Sequence, residues 1–90
     1  MKTKKLTQMP YAQAKVIILD NGEIALRSYE TVAAGIRNGW LYINGLYSMT
    51  TRRHIGAFVK EYAGISYQLA KQLFLDGMVY NIHTGEVAPL

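Results

Sequence analysis

The stretch Lys15-Val16-Ile17-Ile18-Leu19-Asp20-Asn21-Gly22-Glu23-Ile24-Ala25-Leu26-Arg27-Ser28 decides the fold class. Two apolar runs flank an Asn-Gly dipeptide. Asn-Gly suits the two positive-φ positions of a type I′ turn, whose twist matches that of paired strands. The stretch therefore reads as a β-hairpin. Counting outward from a two-residue turn pairs Leu19 with Ile24 and Ile17 with Leu26, and places these side chains on one face, assigned to the core. Val16, Ile18, Ala25 and Arg27 fall on the other face.

A second hairpin follows at once: Thr31 to Arg37, the turn Asn38-Gly39, then Trp40 to Ile43. The same count puts Val32, Ala34, Ile36, Leu41 and Ile43 on the core face. Gly35, Arg37, Trp40 and Tyr42 share the opposite face, where the Tyr42 ring covers a strand glycine. The third Asn-Gly, Asn44-Gly45, comes too soon for another long hairpin and reads as a bend into Leu46-Tyr47-Ser48.

Beyond that bend the apolar period changes from 2 to 3.6. Ile55, Phe58, Val59 and Tyr62 stand at i, i+3, i+4 and i+7, one stripe of a helix. Thr50 or Thr51 is the expected N-cap and Gly64 the expected stop. Arg53 and Lys60 point away from the stripe. A second helix runs from a Ser66 cap to Asp76, ends at Gly77, and has Tyr67, Leu69, Ala70, Leu73 and Phe74 as its apolar residues. Met78 to Ile82 suits a last strand, and His83-Thr84-Gly85-Glu86 a turn. Strands grouped before helices predict an α+β fold: an antiparallel sheet of about four strands, packed on one face by two C-terminal helices.

Composition narrows the function. Ninety residues make one domain, expected over residues 11–90 behind a flexible basic tail of residues 1–10. Half the residues are apolar and 18% are charged, which excludes a disordered chain. Without cysteine there is no disulfide and no thiolate metal site. The net charge is +4, and three of the ten basic residues, Lys2, Lys4 and Lys5, lie in the tail. No run approaches the roughly 20 apolar residues of a membrane span. Nothing resembles a signal peptide. A cytoplasmic protein with no membrane partner is expected.

The segments Ser28-Tyr29-Glu30-Thr31-Val32-Ala33 and Tyr47-Ser48-Met49-Thr50-Thr51-Arg52-Arg53-His54-Ile55, with Phe58 beyond, carry a resemblance. They are similar to a family of small uncharacterised proteins carried by phages and other mobile elements of gut bacteria. The shared pattern is Ser-Tyr-x-Thr followed by Tyr-Ser-x-Thr-Thr-x-Arg-His, over roughly residues 28–58. The resemblance implies a bacterial, phage-linked origin and no particular chemistry. The position before Tyr47-Ser48 departs from that pattern, with Asn44-Gly45-Leu46 where an acidic or tryptophan-containing stretch is usual.

Ser48, Thr50, Thr51 and His54 bring a nucleophile and a base close together in sequence. Their structural reading is the stronger one: a threonine caps the helix, and His54 donates to a strand carbonyl or to the Ser48 hydroxyl and locks a strand–helix corner. His54 and His83 lie 29 positions apart with no carboxylate at ligand spacing. Of the six acids, Asp20 and Glu23 flank a hairpin tip and Glu61 and Asp76 lie on polar helix positions, and none sits in an apolar setting that would raise its pKa. There is no glycine-rich phosphate loop. No catalytic residue, metal or cofactor is expected.

Two surfaces remain. On the outer face of the second hairpin, Arg37, Trp40 and Tyr42 lie side by side near Arg27, and such residues dominate binding energy at interfaces. With Arg52 and Arg53 as further charge partners, they form the expected partner-binding set. The partner is expected to be a host protein or nucleoprotein, occluded sterically as anti-CRISPR proteins do; a homodimer is the other occupant the sequence allows for this face. The alternative is a DNA-binding regulator using residues 51–76 as a helix-turn-helix-like pair, with Tyr67, Gln68, Lys71 and Gln72 facing bases. Lys60 weakens that alternative, because the helices of such a pair touch where it stands.

Overall fold

The computed structural model describes residues 1–90. The strands are β1 (Lys2–Lys4), β2 (Ala14–Ile18), β3 (Ile24–Ser28), β4 (Thr31–Arg37), β5 (Trp40–Ile43), β6 (Met78–Asn81) and β7 (Val87–Pro89). Between β5 and β6 the chain forms α1 (Met49–Tyr62) and α2 (Tyr67–Leu75). All seven strands belong to one antiparallel sheet, ordered as in the sequence. The α+β class and the two helices agree with the sequence reading. The strand count does not: about four were expected and seven are present. β1 and β7 are three residues each, too short for alternation to be legible.

The first hairpin is corrected by one residue. Its turn has three residues, Asp20-Asn21-Gly22, closed by Leu19 N–H donating to the Glu23 carbonyl at 2.8 Å. Only Gly22 takes positive φ (+89°), while Asn21 Oδ1 accepts from the Glu23 N–H at 2.9 Å. Ile18 therefore faces Ile24, and Val16 faces Leu26. One residue of slip turns a whole strand over. Val16, not Ile17, enters the core beside Leu26, and Ile17 stands half-buried across from Ala25 on the outer face.

The second hairpin has the register read from sequence. Arg37 pairs with Trp40 and Gly35 with Tyr42, across Asn38 (φ 53°) and Gly39 (φ 82°). Val32 departs from expectation. The β3–β4 register shifts between Leu26 and Arg27, leaving Ala33 as an extra residue. Ala33 and Ala34 are both buried, and Val32 is turned out to 40% exposure.

The basic tail is also corrected. Residues 2–4 pair with the edge of β2, and Thr3 faces Ile17. Leu6 is 0% exposed within the core. The Thr7 N–H and hydroxyl both donate to the Glu61 carboxylate at 2.9 Å, clamping this segment to the end of α1.

The core lies between the inner face of the sheet and the helices. Val16, Leu26, Ile36 and Leu41 meet Ile55, Phe58 and Val59 of α1 and Ala70 and Leu73 of α2. Each large side chain so buried contributes about 1.5–3 kcal/mol. The N-cap of α1 is Ser48 rather than Thr50 or Thr51: its hydroxyl accepts from the Thr51 N–H at 3.2 Å. Gly64 (φ 70°) and Gly77 (φ 66°) follow the two helix ends, and Ser66 caps α2, all as read. Leu69, counted with the apolar residues of α2, is exposed.

Candidate functional site

Three groupings of polar or aromatic side chains stand out, and the first is internal. Ser28 at the end of β3 is 1% exposed, as is His54 on α1. The Ser28 hydroxyl lies 2.8 Å from His54 Nδ1 and 2.9 Å from the Thr51 hydroxyl. The Ser48 hydroxyl donates to Thr51 Oγ1 at 3.2 Å. All three contacts are met when Ser48 donates to Thr51, Thr51 to Ser28, and Ser28 to His54 Nδ1. In that arrangement His54 is neutral with its proton on Nε2, whereas a ring protonated on Nδ1 donates to Ser28 instead. Burial pushes its pKa below the ordinary 6.5, in the same sense. The expected corner role stands, but with Ser28 as the direct partner in place of Ser48 or a carbonyl. Tyr29, at φ 55°, lays its ring 5.9 Å from the His54 ring. A hydroxyl–imidazole pair needs an orienting acid and access to substrate in order to act as nucleophile and base. No carboxylate bonds to this chain, and neither Ser28 nor His54 lines a cleft.

The second grouping lies on the outer face of the sheet. Arg37, Asn38, Trp40, Tyr42, Ile43, Asn44, Val79 and Leu90 line a cleft of about 410 Å³. Trp40 and Tyr42 are half-buried. Glu23, which sequence reasoning left at a hairpin tip, organises this face. Arg37 donates to it twice at 3.2 Å, and the Tyr42 hydroxyl donates to it at 3.1 Å. The Arg37 guanidinium lies 5.5 Å from the Tyr42 ring centroid. Hydrogen bonding from Arg37 holds the Glu23 carboxyl below its ordinary value. Burial, reinforced by Glu23, pushes the Tyr42 phenol up. Gly35 leaves room for the Tyr42 ring, since a Cβ there would run into its hydroxyl.

The third grouping lies between the helices and divides the expected partner-binding set. Arg52 and Arg53 are not beside Trp40. They line a recess with Met49, Gly56, Tyr67 and Lys71, and an adjoining recess adds Lys60, Gly64, Ile65 and Ser66. Arg27 is likewise apart from Trp40, near Gln13, Lys15 and Tyr29. Of the residues expected to face bases, Tyr67 packs against Gly56, where an added Cβ would lie 3.3 Å from Tyr67 Cβ. Gln68 and Gln72 are exposed, and Gln72 donates to Asp76 at 3.0 Å. Tyr67 and Lys71 thus gather with Arg52 and Arg53, and Gln68 and Gln72 do not.

Residues 3–76 match a family described as of unknown function, DUF8033. The chain belongs to the DUF8033 family. No curated protein and no solved structure matches it. The DUF8033 match takes in β1 from Thr3, β2 to β5 and both helices, and so contains the Ser48–Thr51–Ser28–His54 chain and the whole recess between the helices. Val79 and Leu90 of the outer cleft lie beyond it. No helix of this DUF8033 protein is long and apolar enough to cross a membrane.

Sequence reasoning missed Glu23, Ser28, Val79 and Leu90. Glu23 and Ser28 had a usable signal, because each stands at an end of a strand whose hairpin partner was already assigned. Val79 and Leu90 had none, since their places depend on how the chain returns from α2.

Proposed function

We propose that this DUF8033 protein is a non-enzymatic binding protein that holds a host protein or nucleoprotein through the outer face of its sheet. The observation that carries this reading is the cleft of about 410 Å³ lined by Trp40, Tyr42, Val79, Leu90 and Arg37, on a face to which no helix residue contributes. Its apolar floor and charged rim suit a protruding apolar side chain bordered by polar groups. The sheet edges favour use of the face over pairing at an edge. β1 presents Lys2 and Lys4, and β7 ends in Pro89, both of which discourage strand addition. The buried, acid-free Ser28–His54 pair supports the absence of catalysis. Chain size and the resemblance to phage-borne families direct the partner toward a host defence nucleoprotein, blocked by occupation of its working surface as anti-CRISPR proteins do, in the cytoplasm of a bacterial host.

The experiment is affinity capture from host lysate with wild-type protein and Trp40→Ala, each checked by thermal unfolding. A partner retained by the wild type and lost by a folded Trp40→Ala supports the reading. Equal recovery by both overturns it. Light scattering is the companion measurement: a stable dimer whose dissociation shifts Trp40 fluorescence would assign the face to a second copy of the chain.

A further inference from the structure

The outer face leaves unexplained why so much positive charge collects between the helices. Met49, Arg53, Gly56 and Lys60 stand at i, i+4, i+7 and i+11 on α1, one stripe about 16 Å long at ~1.5 Å per residue. Arg52 flanks this stripe, and Lys71 faces it from α2. The two adjoining recesses, of about 300 and 410 Å³, share Gly56 and Tyr67, so they form one groove. Four cations line it and no carboxylate does. None of the four is in an ion pair; the protein's salt bridges are Arg37–Glu23 and the N-terminal ammonium with Asp20. The nearest acids in sequence are engaged elsewhere, Glu61 by Thr7 and Asp76 by Gln72.

A second observation marks the same groove. Arg52 Nε and Tyr67 Oη are buried without a hydrogen-bond partner. An orphaned buried polar atom costs about 1–3 kcal/mol, and native proteins carry few of them. Both belong to side chains that line this groove; the third such atom, Tyr62 Oη, does not. Gly56 lets α2 approach closely enough for the Tyr67 side chain to line the groove.

We infer that the groove between α1 and α2 binds the phosphodiester backbone of a nucleic acid strand, with Arg52, Arg53, Lys60 and Lys71 as the phosphate partners. A groove with unpaired cations along one wall, on α1, and another facing them from α2 suits a strand that carries a charge at every phosphate. A bilayer surface is flat and would call for a projecting face. Binding of this kind is insensitive to sequence, because the exposed Gln68 and Gln72 are outside the groove and only base contacts specify. The inference does not rest on the outer-face reading.

The test is fluorescence anisotropy with a fluorescein-labelled poly(dT) strand and a duplex of the same length, over a range of salt. Four phosphate contacts give a log–log salt slope of about −3 on a single strand, and Arg53→Ala and Lys71→Ala each lower its magnitude by about 0.7. Arg53 is exposed, so its variant keeps the fold, and circular dichroism verifies this for both. Three results overturn the inference: no binding to either nucleic acid at low salt, binding unchanged in both groove variants, or binding lost only when Lys2, Lys4 and Lys5 are replaced by alanine. Heparin binding without nucleic-acid binding also overturns it.

Discussion

Ser28 on β3 and His54 on α1, 26 positions apart, share a 2.8 Å hydrogen bond that ties the sheet to the start of the first helix. The Ser28 hydroxyl serves two buried partners at once, Thr51 and His54. Ser28→Ala would leave both without it. The expected loss is about 2 kcal/mol. In a domain this small that lowers the melting temperature by roughly 10 °C. Scanning calorimetry reads this directly, and a fall of less than about 2 °C would show that the chain of hydroxyls carries little stability.

The pH dependence of stability follows from the same histidine. Burial depresses the folded-state pKa of His54 below 6.5. Between that lowered value and 6.5 the unfolded chain binds a proton that the folded chain does not, so stability rises with pH across the window. The contribution is complete above 6.5 and is lost as pH falls through the folded value. Urea titrations at about pH 7.5 and about pH 5.5 should show a lower midpoint at the acid end. In His54→Gln that difference should shrink. An unchanged difference would place the titrating group elsewhere.

Gly35 permits the Tyr42 ring to lie across β4. A Cβ at position 35 would collide with the Tyr42 hydroxyl and stand 2.8 Å from the Ile24 carbonyl oxygen, which is backbone and cannot swing away. Gly35→Ala is expected to cost about 1–3 kcal/mol and to push Tyr42 off Glu23. Tyr42→Phe separates the two effects, since it removes the 3.1 Å hydrogen bond without the collision. Denaturant titration of both variants decides the matter. Equal stabilities would mean that the backbone contact is relieved at no cost.

Leu6 tests whether the amino-terminal segment belongs to the fold. It is fully buried and bordered by the Thr7–Glu61 clamp. Leu6→Ala should cost about 2–4 kcal/mol. Hydrogen exchange should show the Lys2–Lys4 amides that bond to β2 protected in the wild type and less so in the variant. Free exchange of this segment in the wild type would return it to the status of a tail.

The second hairpin was legible because its turn chemistry and its alternation agree. Asn38 and Gly39 accept the positive φ values that a two-residue turn requires, and Arg37–Trp40 pairing follows by counting. The first hairpin carried the same dipeptide and was read one residue off. Asn21 uses its side chain to accept from Glu23 instead, and a three-residue turn results. Nothing local distinguishes the two: Val16 and Ile17 are equally apolar, so only the helix packed below selects which one faces inward. Val32 was misplaced for a related reason, because a bulge at Ala33 leaves no trace in the alternation.

The candidate sites divide along the same line. Residue types and their spacing along each element were enough to assign the Trp40–Tyr42 face, the apolar stripe of α1 and the glycines that end both helices, because strand alternation and helix period are local properties of the backbone. Which distant side chains meet was settled by the closing of the fold. Ser28 reaches His54, Glu23 takes Arg37, and Arg52 and Arg53 leave the tryptophan for Lys71, because those pairings depend on how β3 lies beside β4 and on how α1 and α2 cross the sheet.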